Sequence, residues 1–210
     1  MCERKAVARY AIVILGFAVV AMGLALMLRS QLGMGPWGAF EQVLSIRTGM
    51  SFGRSAQIVG LALIIVAWSL KERPTLATVL NMLLIGAFSD CCLEHIPPAS
   101  VPAMKVLYFC GGLVVYSIGI SLYVSLRMGA GPREAVMLGL SETLGLSIRF
   151  SRVTIDMFVL VASWMMKGPI GIGTVAFALG AGPLIQLFLK YCSTAAANLG
   201  LISSGPSQIS

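Results

Sequence analysis

Asp156 stands inside the apolar run 151–166, with Arg152 one helical turn before it and Arg149 about one turn further back. A carboxylate in such a run is costly and marks a functional candidate. It suits carrying a proton or a coupling ion. It equally suits a plain intrahelical pair with Arg152, although acid after base is the weaker order for an i,i+4 couple. Both readings stand on the residues alone.

The backbone supplies a second kind of polar group. Gly33-Met-Gly-Pro-Trp returns 96 residues later as Gly129-Ala-Gly-Pro-Arg, followed by Glu134. Pro36 and Pro132 suit a first helical turn, where the missing N–H costs nothing. Each copy therefore predicts a helix start whose free N–H groups and positive dipole end favour an anion. The chemistry implied is recognition of a small charged solute. Its candidate residues are Gly33, Gly35, Pro36, Trp37 and Glu41 in the first copy, and Gly129, Gly131, Pro132, Arg133 and Glu134 in the second. Asp156, with Arg152, is the candidate coupling group. No nucleophile and base pair off, no phosphate loop or dinucleotide fingerprint occurs, and His95 is the single histidine. The five cysteines have no zinc-like spacing. Neither an enzyme nor a cofactor or metal is expected.

The elements that must hold these residues are read from the repeat and the composition. Tyr10 to Cys92 overlies Val106 to Phe188 without a gap, with 19 identities in 83 positions. The chain is 58% hydrophobic and 11% charged, with mean hydropathy +0.91, outside the range of soluble domains. A span needs about 20 mostly apolar residues. Six segments qualify, near 8–28, 55–70, 75–92, 104–126, 151–166 and 172–191. The first follows a basic start and resembles a signal peptide, but its counterpart at 104–126 cannot be one, so it is read as a retained span.

The net charge of +7 is read as loop charge, and no nucleic-acid partner is expected. With the N-terminus inside, ten basic residues (Arg4, Lys5, Arg9, Lys71, Arg73, Arg127, Arg133, Arg149, Arg152, Lys190) face the cytoplasm and five (Arg29, Arg47, Arg54, Lys105, Lys167) face outward. The positive-inside rule then places both termini in the cytoplasm.

Three spans per repeat is an odd number, so the second half must cross in the opposite sense to the first. The expected fold is an all-α membrane protein of six transmembrane helices in two three-helix inverted repeats, an arrangement found among secondary transporters. The repeats are 1–92 and 104–192, joined by the Pro-rich linker 93–103 and followed by a flexible tail, 193–210. After the first span of each half comes a stretch too short to cross, since residues 37–48 make a helix of about 18 Å. Trp37, Phe40, Val43 and Leu44 fall on one face of it, and Glu41, Ser45 and Thr48 on the other. It is either an amphipathic interfacial helix or a re-entrant half-helix facing a polar cavity. Gly180-Ala-Gly-Pro183 either aids packing or breaks the sixth segment. Asp90 and Glu94 are expected to be solvated.

Gly33-Met-Gly-Pro-Trp, Thr48-Gly-Met-Ser-Phe-Gly, Gly131-Pro-Arg-Glu, Gly139-Leu-Ser, Gly145-Leu-Ser-Ile-Arg and Gly171-Ile-Gly-Thr together resemble the bacterial membrane proteins named after YczE, grouped loosely with YitT. The resemblance covers about residues 8–190. It implies a bacterial multi-pass inner-membrane protein of a family often presumed to transport. By the same likeness Pro36, Trp37, Pro132, Arg133, Glu134, Asp156 and Thr174 match the family's pattern, which adds Thr174 to the candidate site. Gly38 departs from it, where an acidic residue often follows the Pro-Trp pair. Glu134, or Glu41 as a displaced substitute, is then the carboxylate left.

The expected function is a small secondary transporter of an anionic or zwitterionic solute, with its site between the inverted repeats. Two alternatives stand beside it: a membrane substrate-binding subunit that needs a separate ATPase partner, and a membrane assembly or regulatory factor. The lipid bilayer and a small-molecule solute are the expected partners, and a homodimer is compatible with three-span units.

Overall fold

The computed structural model describes residues 2–129 and 131–202, without the side chains of 2–4; the expectations for Cys2, Arg4 and the last part of the tail lie outside them. Eight helices follow in chain order: α1 (Cys2–Ser30), α2 (Pro36–Thr48), α3 (Phe52–Ser69), α4 (Leu76–His95), α5 (Pro102–Ser125), α6 (Pro132–Leu144), α7 (Ile148–Met165) and α8 (Ile172–Asn198). Both ends of α2 recur 96 residues on in α6, and both ends of α3 in α7.

Local chemistry explains that agreement. Gly49 and Gly145 end α2 and α6 in the left-handed conformation, at φ 71° and 63°. The hydroxyl of Ser45 donates to the Met50 carbonyl (2.7 Å), and that of Ser141 to the Leu146 carbonyl (2.6 Å), locking the same turn twice. Ser51 and Ser147 then cap α3 and α7 by accepting from the Arg54 and Phe150 N–H groups. Much of the shared frame is therefore turn chemistry.

Among the described residues five helices, α1, α3, α4, α5 and α8, are long and apolar enough to cross a membrane. The expected fifth span, α7, matches α3 in length but carries Arg149, Arg152 and Asp156 and falls outside that set. Large apolar side chains face outward on most of these helices, among them Leu61, Ile65, Trp68, Leu107, Phe158, Trp164 and Leu179. A surface of that kind suits hydrocarbon rather than water. The protein is an all-α multi-pass membrane protein.

The core is built on α1 against α5. A Cβ at Gly23 would stand 2.5 Å from the Tyr116 nitrogen and 2.7 Å from the Gly112 oxygen, and one at Gly119 would stand 2.5 Å from the Val20 nitrogen. Gly16 meets Gly119 and Tyr123. As α1 advances from 16 to 23, its partner recedes from 119 to 112, so the two helices run antiparallel. Close backbone approach through small residues is how helices associate where water gives no driving force.

Around this pair, α4 packs on α1 and α8 on α5, while each short helix lies on the other copy's helix: α2 on α7, α6 on α3. The halves differ at one joint. The first holds α3 to α4 through Asp90, which accepts from the Gly53 N–H (2.7 Å) and the Ser51 hydroxyl (2.5 Å), and through Gln57, which donates to the Leu83 carbonyl (2.9 Å). The counterparts of Gly53, Gln57, Gly60 and Asp90 are Arg149, Val153, Asp156 and Gln186. No packing of similar extent joins α7 to α8.

Several expectations are corrected here. Asp90, expected to be solvated, is partly exposed and also accepts from the Gly53 N–H at the start of α3. The faces assigned to α2 hold in part: Val43 is buried and Thr48 exposed as expected, but Glu41 is only 2% exposed, because α2 lies between α3 and α7 and its Glu41 side is covered. Gly180 to Pro183 do not break α8, which runs unbroken to Asn198, past the expected start of the tail at Ser193. The linker is shorter than drawn, since α4 continues to His95 and the Ala99 N–H binds the Arg29 carbonyl (3.0 Å) at the end of α1.

Candidate functional site

Gly33 (φ 104°) and Gly129 (φ 140°) turn the chain in a region closed to most L-residues. The Gly173 N–H donates to the Leu32 carbonyl (2.8 Å), fixing the first turn against the start of α8. Gly35 is buried against the Phe177 ring, and a Cβ there would come within 2.5 Å of it. The first turn of α2 is thereby seated against α8.

Beside that turn lies a cavity of about 100 Å³. Its walls are Gly35 to Gly38 of α2, Arg133, Glu134 and Met137 of α6, Arg152, Ile155 and Asp156 of α7, Phe177, Ala181 and Ile185 of α8, Tyr116 of α5 and Leu24 of α1. The splayed joint between α7 and α8 makes room for it. The Trp37 Nε1–H donates to Asp156 Oδ1 (2.8 Å), and Arg152 Nε lies 3.8 Å from Asp156 Oδ2. Asp156 thus has the intrahelical partner expected of it, and a second partner from the other repeat. The Arg133 guanidinium lies 5.2 Å from the Trp37 ring centre, a cation–π arrangement. Arg133 also donates to Glu41 Oε1 in an ion pair.

Glu41 is the buried member of this pair, and its Oε2 has no hydrogen-bond partner among the described residues. Burial pushes the Glu41 carboxyl above its ordinary range, and the Arg133 charge opposes that push.

A second cavity, of about 60 Å³, lies on the other side of Arg133 and Glu134. It takes its walls from positions that match the first at a spacing of 96: Pro132 for Pro36, Ala56 for Arg152, Gly60 for Asp156, Asn81 for Phe177 and Ile85 for Ala181. Leu24, Tyr116, Arg133 and Glu134 border both. Glu41 lines only the second.

Of the sequence-derived candidates, Gly35, Pro36, Trp37, Arg133, Glu134, Arg152 and Asp156 meet at the first cavity, and Glu41 and Pro132 at the second. Gly33, Gly129, Gly131 and Thr174 line neither. Gly33 and Gly129 form turns, and Gly131 is the N-cap of α6. Thr174 is 4% exposed, and its hydroxyl oxygen accepts from the Gly171 N–H (3.3 Å), so it braces the start of α8 beside Gly33. Tyr116, Met137 and Phe177 were not anticipated. Each replaces a different residue in the other copy (Val20, Glu41 and Asn81), and that divergence was the available signal.

The protein is 33% identical over 190 residues to an uncharacterized membrane protein, YczE, of Bacillus subtilis, covering 89% of this chain and 88% of the relative. It is 30% identical over 179 residues to an uncharacterized protein of Haemophilus influenzae, covering 85% and 82%. A third relative, the uncharacterized protein YyaS of Bacillus subtilis, is 26% identical over 179 residues, covering 83% and 89%. No solved structure matches the chain. The sequence profile of a family of unknown function, DUF6198, matches residues 7–190, nearly the whole helical region described above. The resemblance to the YczE proteins is borne out, and this bacterial multi-pass membrane protein belongs to that family.

Proposed function

We propose that the protein is a small secondary transporter in which two inverted repeats alternate about the Arg133–Glu41 pair. The observation that carries this reading is the pair of matched cavities, built from equivalent positions of the two copies and separated by one layer of shared side chains. An antiparallel α1 and α5 is what inverted halves require. In this reading α7 is the fifth of six spans. Its 18 residues reach about 27 Å, and it turns Val153, Met157, Phe158, Val161 and Trp164 outward to lipid. Both termini are assigned to the cytoplasm by the excess of basic residues on that side.

The solute is a small zwitterion with an apolar portion. Arg133 and the free N–H groups at the start of α2 suit its anionic group, and Asp156 and Glu134 its cationic group. Trp37, Tyr116 and Phe177 offer apolar faces. Uptake into proteoliposomes, screened over small zwitterions, tests the reading with Asp156→Asn and Pro132→Ala. Loss of uptake in both variants supports it. Wild-type rates in both would remove these residues from the mechanism.

A further inference from the structure

Among the carboxylates at the two cavities, Glu41 is the most enclosed, at 2% exposure against 33% for Asp156. Its Oε1 is held by Arg133, its Oε2 is buried without a hydrogen-bond partner among the described residues, and the residue lines the second cavity. An ionised carboxylate with an unsatisfied buried oxygen is costly, and adding a proton is the cheapest way to relieve it. The charged and titratable groups facing it are few. Helix α6 presents Arg133 and Glu134, α5 presents Tyr116 and Tyr123, and α7 presents Arg152 and Asp156 beyond Arg133. The cavity walls from α1, α3 and α4 hold Leu24, Ala56, Gly60 and Asn81 and similar residues, with no titratable side chain among those described. Arg133 is thus the direct counter-charge of Glu41.

Arg133 is also the group through which the first cavity would learn of a change at Glu41. Its guanidinium touches Glu41 on one side and faces the Trp37 ring and the first cavity on the other. We propose that Glu41 takes up a proton on Oε2 from the second cavity, and that the neutral acid releases Arg133 to bind the anionic group of a solute in the first. The proton comes from solution and is returned to it. One positive charge enters as one negative group binds, so the site is balanced throughout. This assigns the coupling proton to Glu41 in place of Asp156. The coupling rests on the carrier reading above, whereas the proton site itself does not.

The test uses Trp37 as reporter, with Trp68 and Trp164 replaced by Phe so that it is the only tryptophan left. Without solute, its emission should shift in a single step as pH is varied between about 4 and 9. Glu41→Gln should abolish the step and Asp156→Asn should retain it. A step retained in Glu41→Gln, or lost only in Asp156→Asn, overturns the proposal. So does a step driven by sodium at constant pH and lost in Glu41→Gln, which would make the site one for a metal cation. Should Glu41→Gln fail to fold, infrared difference spectra of the wild-type chain and Asp156→Asn decide the matter. A protonated buried carboxyl should appear on acidification in both, and its absence refutes the proposal. Failure of solute uptake alongside an intact titration would sink the carrier reading and leave the proton site standing.

Discussion

Trp37 and Arg133 hold the same place in the two copies of the repeat, 96 residues apart, and they touch: the guanidinium lies 5.2 Å from the indole ring centre. A residue meets its own counterpart only where the two copies face each other. The two matching helix starts carry an aromatic face at one position and a cation at its counterpart. From this contact the ion pair runs outward to Glu41 and the indole hydrogen bond to Asp156.

Removing the arginine should cost far more than removing the pair. Arg133→Ala leaves Glu41 buried and without its counter-charge, and should destabilise the protein by about 3–5 kcal/mol. Adding Glu41→Ala should recover much of that loss. Thermal unfolding in detergent reads both, and equal melting temperatures for the single and double variants would contradict the pairing.

The indole hydrogen bond is tested by Trp37→Phe, which keeps an aromatic face for Arg133 but removes the donor to Asp156. A bond to a half-buried carboxylate is worth about 1–2 kcal/mol. The expected outcome is a loss of that size, and none of it when Asp156→Asn is already present. Additive losses would show that the two side chains act independently.

The α1–α5 contact gives a contrast between glycines. Gly23→Ala puts a methyl group 2.5 Å from the Tyr116 backbone and should cost about 1–3 kcal/mol. Gly111→Ala meets nothing within 4 Å and should be neutral or stabilising by up to about 1 kcal/mol, through helix propensity alone. The reverse order in unfolding experiments would refute the helix crossing.

Much of the fold was legible because its signals are local. Long apolar runs gave the spans, and Pro36, Pro132, Gly49 and Gly145 gave the ends of the short helices. Charges inside a run were harder to judge. The pattern puts Glu41 on the polar face of a helix that is either interfacial or re-entrant, and does not show its burial, because its partner, Arg133, lies 92 residues away and no periodicity reports such a neighbour. Thr174 was drawn into the site by its match to a pattern, though its hydroxyl serves the start of α8.

The two copies differ in an informative way. Positions that stayed identical, such as Ser45 with Ser141 and Gly49 with Gly145, make turns and caps. Positions that diverged, such as Trp37 with Arg133, Glu41 with Met137, Gly60 with Asp156 and Asn81 with Phe177, line the cavities. Structural demands act on both halves alike, whereas a site needs different groups from each.

Inverted repeats that alternate about the Arg133–Glu41 pair require the two cavities to open to opposite sides of the membrane, and cysteine labelling tests this directly. In a background lacking Cys2, Cys91, Cys92, Cys110 and Cys192, Arg152→Cys reports on the first cavity and Ala56→Cys, its counterpart, on the second. A membrane-impermeant maleimide added to intact cells or to inverted vesicles should reach the two from opposite sides. Labelling of both from the same side would contradict the inverted arrangement and the transport reading with it.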